Sequence, residues 1–178
     1  MSFDAGGAFL DRARRHLRDD YLPRLVLAVD ALGDDAIWRR ANAHSNSAAN
    51  LCLHLSGNAR QWIVAGVGGA ADTRERQAEF DAREGLSAVE IIERTRSAFA
   101  EIDATLSRIL PAALGEARHI QGHDTTVFGA IFHVCEHVAM HVGQVILLAK
   151  AWGEKPLSFY TVTERGIATR TWDDSQSF

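Results

Sequence analysis

The chain holds only two cysteines, Cys52 and Cys135, and three prolines in 178 residues. Two thiols cannot staple a small secreted domain, so a disulfide framework is excluded. So few prolines, with few runs of β-branched residues, leave room for long helices. There is no basic excess: 19 basic side chains stand against 23 acidic ones, a net charge of -4 with the eight histidines neutral. A nucleic-acid binder needs a cationic surplus to displace counterions from phosphate, so that class is set aside. No uncharged apolar stretch reaches the roughly 18 residues that would suggest a membrane span. The opening MSFDAGGAFLDRARRHLRDD has no apolar segment of the kind a secretory signal needs, and a cytoplasmic location is expected. A chain of this length that is 47% hydrophobic and 24% charged fits one domain over residues 1–178. Such a domain buries about two-thirds of its unfolded surface.

Charge is also missing locally. Residues 41–71 carry one charged side chain, Arg60, and residues 125–149 carry one, Glu136. Five of the eight histidines, namely His44, His54, His133, His137 and His141, fall in those two segments. Segments without charge are the ones that can be buried. The histidines are therefore concentrated in the driest parts of the chain. The run 72–84, dense in charge, reads by contrast as a solvated loop.

Four helices are predicted. Leu10, Ala13, Leu17, Tyr21, Leu25, Ala28 and Leu32 step by three or four, the signature of an amphipathic helix, with Pro23 as a kink or break and Gly33 as a stop. A second helix begins near 45–47, where serine and asparagine can cap it, and runs to about Ala65. The glycines at 66, 68 and 69 open a long exposed connection over 66–85. Ser87 and Glu90 form a capping box for a third helix, whose apolar positions 92, 99, 102, 106 and 109 lead to Pro111. Asp124, Thr125 or Thr126 caps a fourth, ending near Trp152 and Gly153. Similar lengths predict an all-α four-helix bundle, core about 8–153, with the 66–85 connection as crossover. The tail 154–178, with its alternating threonines, is irregular or extended.

Chemistry is written on the second and fourth helices. His133, His137 and His141 lie four residues apart and form one stripe, which Gln144 extends. Histidines four apart on a helix are about 5–6 Å apart at Cβ, so one adjacent pair can grip a cation. The outer two cannot share it, being about 12 Å apart along the axis. Spacing leaves open whether the pair is 133/137 or 137/141. On the second helix Ser47, Asn50, His54, Asn58 and Gln61 form a polar stripe through an apolar helix. Two dry helices with histidine stripes fit best when the stripes face each other, a usual place for a metal site in a bundle. Three neutral imidazoles leave coordination positions open, as reactive sites do. Gly143 beside the stripe lets another backbone approach. His16, His44, His119 and His123 are read as ordinary hydrogen-bonded or surface residues, and both cysteines as small hydrophobes. His133-Val-Cys-Glu136-His137 also spells H-x-x-E-H, a zinc-peptidase pattern, but that class needs a further acidic ligand well downstream.

The segment Asn46-Ser47-x-x-Asn50-Leu51-x-x-His54-Leu55-x-Gly57-Asn58-x-Arg60-Gln61-Trp62-Ile63, followed by Ala65-Gly66-Val67-Gly68-Gly69, resembles the second helix and loop of the DinB-like (YfiT-like) family. Ile120-Gln121-Gly122 and His133-Val-x-Glu136-His137-x-x-Met140-His141-x-Gly143-Gln144 resemble its fourth helix, and Tyr21-Leu22-Pro23-Arg24-Leu25 fits its first. The resemblance spans about residues 17–160. It implies a four-helix bundle, a homodimer and a divalent metal ion held by His54, His137 and His141, which selects the 137/141 pair. Cys135 stands where the family has valine. Some relatives are thiol-dependent transferases or isomerases that use mycothiol, bacillithiol or glutathione. The subfamily resembled here has no assigned reaction.

The expected function is therefore a metalloenzyme using zinc, nickel or iron, with transfer of a low-molecular-weight thiol in detoxification as its most concrete form. His133 is the candidate catalytic base. Asn50, Asn58 and Gln144 are candidate pocket residues for a small-molecule substrate. Rival expectations are a non-catalytic metal-binding stress-response protein, a metal-dependent hydrolase, and a satisfied histidine cluster without an ion.

Overall fold

The apolar ladder of the first predicted helix forms a nearly continuous rod, in a computed structural model that describes residues 3–153 and 155–172. Helix α1 (Ala5–Arg15) runs through a π-helical turn (His16–Tyr21) into α2 (Leu22–Ile37). Leu10, Ala13, Leu17, Leu25, Ala28 and Leu32 are all buried, so the steps of three and four mark its inner face as expected. Pro23 does not break the rod. It falls in the first turn of α2, directly after the wider π-helical turn, where a missing N–H is tolerated. Asp19 O, four residues before the proline, accepts from Trp172 Nε1 at 3.0 Å. Gly33 is the expected stop: at φ 60° it leaves the helical region, which suits glycine. The break brings Asp34 against the third long helix, where its carboxylate accepts from Ala88 N at 2.6 Å.

Helix α3 (Ala48–Ala59) starts at a Ser47–Asn50 capping box and passes into a second π-helical turn, Arg60–Val67. A short helix, α4 (Arg76–Asp81), stands inside what the charge density marked as a plain exposed loop. Helix α5 (Ala88–Leu106) opens on the Ser87–Glu90 capping box, and Pro111 lies beyond its end. A hairpin of β1 (Ala117–Ile120) and β2 (His123–Thr126) leads into α6 (Val127–Trp152), which Thr126 caps and Gly153 follows. The sequence pattern does not predict this hairpin, because strands of four residues carry too little alternation. In the tail β3 (Tyr160–Val162) pairs with β4 (Ala168–Arg170), in line with the extended reading. Residues 154 and 173–178 of the tail lie outside the described residues.

The contacts fix an up-down-down-up bundle. Phe9 and Phe128 rings meet at 4.4 Å near one end, and Gly153 lies against Ala31 near the other, so the first rod and α6 are parallel. Asp34 caps the start of α5 while Arg14 forks onto Asp103 near its end, at 2.8 and 3.1 Å, so α5 is antiparallel to that rod. Arg60 pairs with Glu101 at 3.1 Å and Gly68 abuts Thr105, so α3 and α5 are parallel neighbours. A parallel pair obliges the 68–87 connection to travel back along the bundle, and this is the expected crossover. That return path lays α4 alongside α3. Among the described residues α6 is the one helix long and apolar enough to cross a membrane by length and composition. Its Val127, Ile131, Val134, Val138 and Val145 are fully buried in the bundle core.

Candidate metal centre

Antiparallel packing of α3 and α6 brings their polar stripes face to face. His54, His137 and His141 each offer a nitrogen, and the three nitrogens lie within 4.8 Å of one another. His54 Nε2 is 3.1 Å from His137 Nε2. The His54 ring lies 4.9 Å from that of His137 and 5.2 Å from that of His141, centroid to centroid. A tetrahedral ion with bonds of about 2.0–2.1 Å holds its ligand nitrogens about 3.3 Å apart, so small rotations bring all three to one ion. His54 is only 6% exposed, and the other two are half-buried.

Neighbours hold two of the three rings from outside. His54 Nδ1 lies 3.0 Å from Glu79 Oε2, and His141 Nδ1 lies 2.6 Å from Gln144 Oε1. Oxygens that accept from Nδ1 leave the Nε2 lone pairs facing inward, which is how metal-ligating histidines are oriented. Glu79 is itself gripped by Arg74, whose Nε and Nη2 donate at 2.7 and 2.8 Å. Arg74 Nη1 donates to Gln61 Oε1 at 2.8 Å, and Gln61 in turn donates to Asp72 at 2.7 Å. The charges suit a cation. Burial pushes His137 down to about 3, with His141 and His54 adding to the shift. Burial also holds His141 below the usual imidazole range, against the opposing effect of the hydrogen bond it donates to Gln144. Both are neutral near pH 7, the state in which imidazole donates a lone pair to metal. Burial alone would raise the Glu79 carboxyl, but its bonds to Arg74 and His54 hold it below the usual range.

His133 does not join the triad. Its ring stacks on Trp62 at 4.1 Å and lies 5.5 Å from His137, and burial lowers its pKa. His133 Nε2, His137 Nδ1 and Asn58 Oδ1 are buried atoms without a hydrogen-bond partner among the described residues. Asn58 lies one turn from His54, between the His54–His137 and Trp62–His133 contacts. These atoms mark the polar side of the centre next to the ligands.

Other expected residues sit elsewhere. Asn50 is fully buried and occupied: it accepts from Arg40 at 2.6 Å and donates to the Glu79 and Ala82 carbonyls at 2.8 and 2.9 Å. It anchors the crossover instead of lining a pocket. Gln144 serves His141. Gly143 has open space beside it, and no backbone of the described residues comes within 4 Å of the place a Cβ would take. Glu136 is exposed on the same side of α6 as Phe132 and Met140. Burial raises the Cys52 thiol to about 12 and that of Cys135 to about 11, consistent with small hydrophobes. His16 bonds Asp20 and Tyr21, and His119 bonds Asp124.

Arg74 and Glu79 are the residues that sequence reasoning misplaces. Their side chains are buried, although the 72–84 run was expected to be solvated. The available signal was Gly57, a glycine inside a helix with no turn to make. A cleft of about 660 Å³ lies under the crossover, with Leu53, Arg60, Val64, Trp38 and Arg94 among its walls. Arg74 and Glu79 line it too and form the partition between it and His54.

Comparison with known proteins agrees with the fold. The family described as "Protein of unknown function (DUF1572)" matches residues 4–166. The crystal structure of a DinB-like protein, YjoA, from Bacillus subtilis is similar, with TM-score 0.64 and 16% identity over 83% of this chain and 96% of that one. A DinB-like protein from Bacillus cereus has TM-score 0.62 and 16% identity, covering 78% of this chain and 91% of its own. No curated protein matches the sequence. The fold is thus DinB-like, and at such identity the likeness speaks to fold alone.

Proposed function

As the chain belongs to the family of unknown function DUF1572, its activity has to be read from its site, and we propose that it is a metal-dependent enzyme whose His54, His137 and His141 hold a divalent ion. The observation that carries this reading is the convergence of three imidazoles, two with Nδ1 engaged by outer acceptors and Nε2 left facing inward. An ion so held supplies Lewis acidity at an open coordination position, and imidazole suits zinc, nickel and iron alike. The most concrete reaction is transfer of a low-molecular-weight thiol to an electrophilic carbon. A C–S bond forms as the bond to the leaving group breaks, and the thiol proton passes to a base. His133, kept neutral by burial and carrying an unpartnered Nε2, is the base this reading assigns. The neighbouring cleft has the volume for a small-molecule thiol, and the Arg74–Glu79 pair that stands between it and His54 must part for such a molecule to reach the histidines.

The test uses untagged protein, because histidine sites take up nickel from purification columns. Metal-loaded and metal-stripped protein is mixed with glutathione, bacillithiol or mycothiol and an aryl halide, and the thioether product is measured. Turnover that requires metal and falls at least about tenfold in His133→Gln supports the reading. Metal-dependent turnover with none of the three thiols overturns the transferase assignment. A non-catalytic metal protein then becomes the better reading, favoured by the depth of His54 beneath Arg74 and Glu79.

A homodimer belongs to the same proposal. Phe128, Phe132, Met140 and Leu147 are exposed along α6, with Gly143 bare among them. Antiparallel pairing of two copies about Gly143 sets Glu136 against Lys150 of the second copy. Sedimentation of wild type beside Gly143→Arg checks it, with the variant expected as monomer.

A further inference from the structure

Gly57 lies in the last turn of α3, where the rod runs on into the π-helical turn and glycine is less favourable than alanine. A Cβ there would overlap Glu79 Oε1 and stand 2.9 Å from Glu79 Cδ and 3.1 Å from Arg74 Nε. The glycine therefore leaves room for one carboxylate to pass α3 and reach His54. Every other contact fixes that carboxylate in the same place. Asn50 holds the Glu79 carbonyl, Arg74 takes both carboxylate oxygens, and Gln61 holds Arg74. The Arg74–Glu79 pair is complete without His54, yet Glu79 Oε2 is also 3.0 Å from His54 Nδ1. A neutral imidazole has two tautomers, and a carboxylate accepting at Nδ1 selects the one with a free Nε2.

We propose that Glu79 is the positioning residue of the metal centre, and that the crossover over 68–87 acts as a clamp which, through Gly57, Arg74 and Glu79, sets the tautomer and orientation of His54. The clamp rests on the reading that the three histidines bind an ion. It explains why a charged segment is buried against an uncharged helix, and why α3 tolerates a glycine inside the rod it forms with the π-helical turn. Arg74 Nη2 is also 3.1 Å from His54 Nδ1. Its two bonds to Glu79 draw the guanidinium to the carboxylate, and Nδ1–H donates to Glu79.

Two variants of the full chain test the clamp by different routes. Glu79→Gln removes the charge at constant shape, whereas Gly57→Ala keeps every polar group and displaces the carboxylate from behind. Titration with Co2+ alone, followed by its visible absorption and chelator competition, should show affinity falling about 10- to 100-fold in Glu79→Gln and in the same direction in Gly57→Ala. Nitrogen-15 shifts of the imidazoles in metal-free protein should place the His54 proton on Nδ1 in wild type, and on Nε2 or on both in the variants. Should Glu79→Gln fail to fold by circular dichroism, Gly57→Ala carries both measurements. Wild type that binds no Co2+ overturns the metal reading, while the tautomer shift still decides whether the clamp exists. An unchanged His54 tautomer, with Co2+ affinity within twofold of wild type, overturns the clamp.

Discussion

His16 and His54 each present Nδ1 to a buried carboxylate, Asp20 at 2.7 Å and Glu79 at 3.0 Å, and each carboxylate pairs with an arginine, Arg170 or Arg74. Both sit on rods that contain a π-helical turn. They part company at Nε2. His16 spends it on the Tyr21 hydroxyl at 3.0 Å, whereas His54 turns it toward His137 at 3.1 Å. The arginines also come from different places: Arg170 belongs to the C-terminal hairpin, and Arg74 to the crossover. A histidine–carboxylate–arginine set is therefore no mark of a reactive site by itself. What Nε2 faces decides whether the set closes on a phenol and pins a tail, or stays open toward other imidazoles.

The widest separation is expected in metal content. If the triad holds an ion, His54→Ala should lower bound divalent metal from about one ion per chain to less than about a tenth, since two imidazoles on one helix make a weak site. His16→Ala should leave it unchanged. Elemental analysis of untagged protein decides, and equal losses in both variants would break the contrast. Next comes stability. Asp20 is 4% exposed, and Asp20→Ala strands His16 and Arg170, so urea unfolding should show a loss of about 1–3 kcal/mol with metal content intact. The smallest effect is in pH dependence. The folded-state pKa of His137 is depressed to about 3 from the usual 6.5, so the unfolded chain takes up a proton that the folded chain refuses. That contribution to stability is present above pH 6.5 and is lost progressively as the pH falls toward 3. Urea midpoints of metal-free protein at pH 7.5, 6.5 and 5.5 should fall in that order, and His137→Gln should flatten the slope while His16→Gln should not.

Much of this was legible in residue order. Caps at Ser47, Ser87 and Thr126 and stops at Gly33 and Gly153 follow from local hydrogen bonding and backbone freedom, which act within a few residues. The facing stripes of α3 and α6 followed from charge depletion, because a helix without charge has only the core to pack against. The family resemblance chose His141 over His133, and spacing had left both. What the pattern hid is long-range pairing. Arg74 and Glu79 look like solvated charges until the crossover folds them against each other, after which each satisfies the other and both can be buried. Asn50 looked like a pocket residue because polarity on a dry helix has two uses, and its anchoring of the 79 and 82 carbonyls depends on a segment some 30 residues away.

The parallel setting of α3 and α5 also bears on the order of assembly. Helices joined by a tight turn can zip together from that turn, but a parallel pair cannot, and α3 meets α6 across a sequence separation of 83 residues at the His54–His137 contact. Such distant contacts slow folding. Where the three imidazoles converge only after the main barrier, their contact is absent from the transition state. An interaction absent from the transition state leaves the folding rate alone and slows unfolding instead. An ion at this centre would then act as a latch on the finished bundle, lengthening its lifetime without hastening its formation.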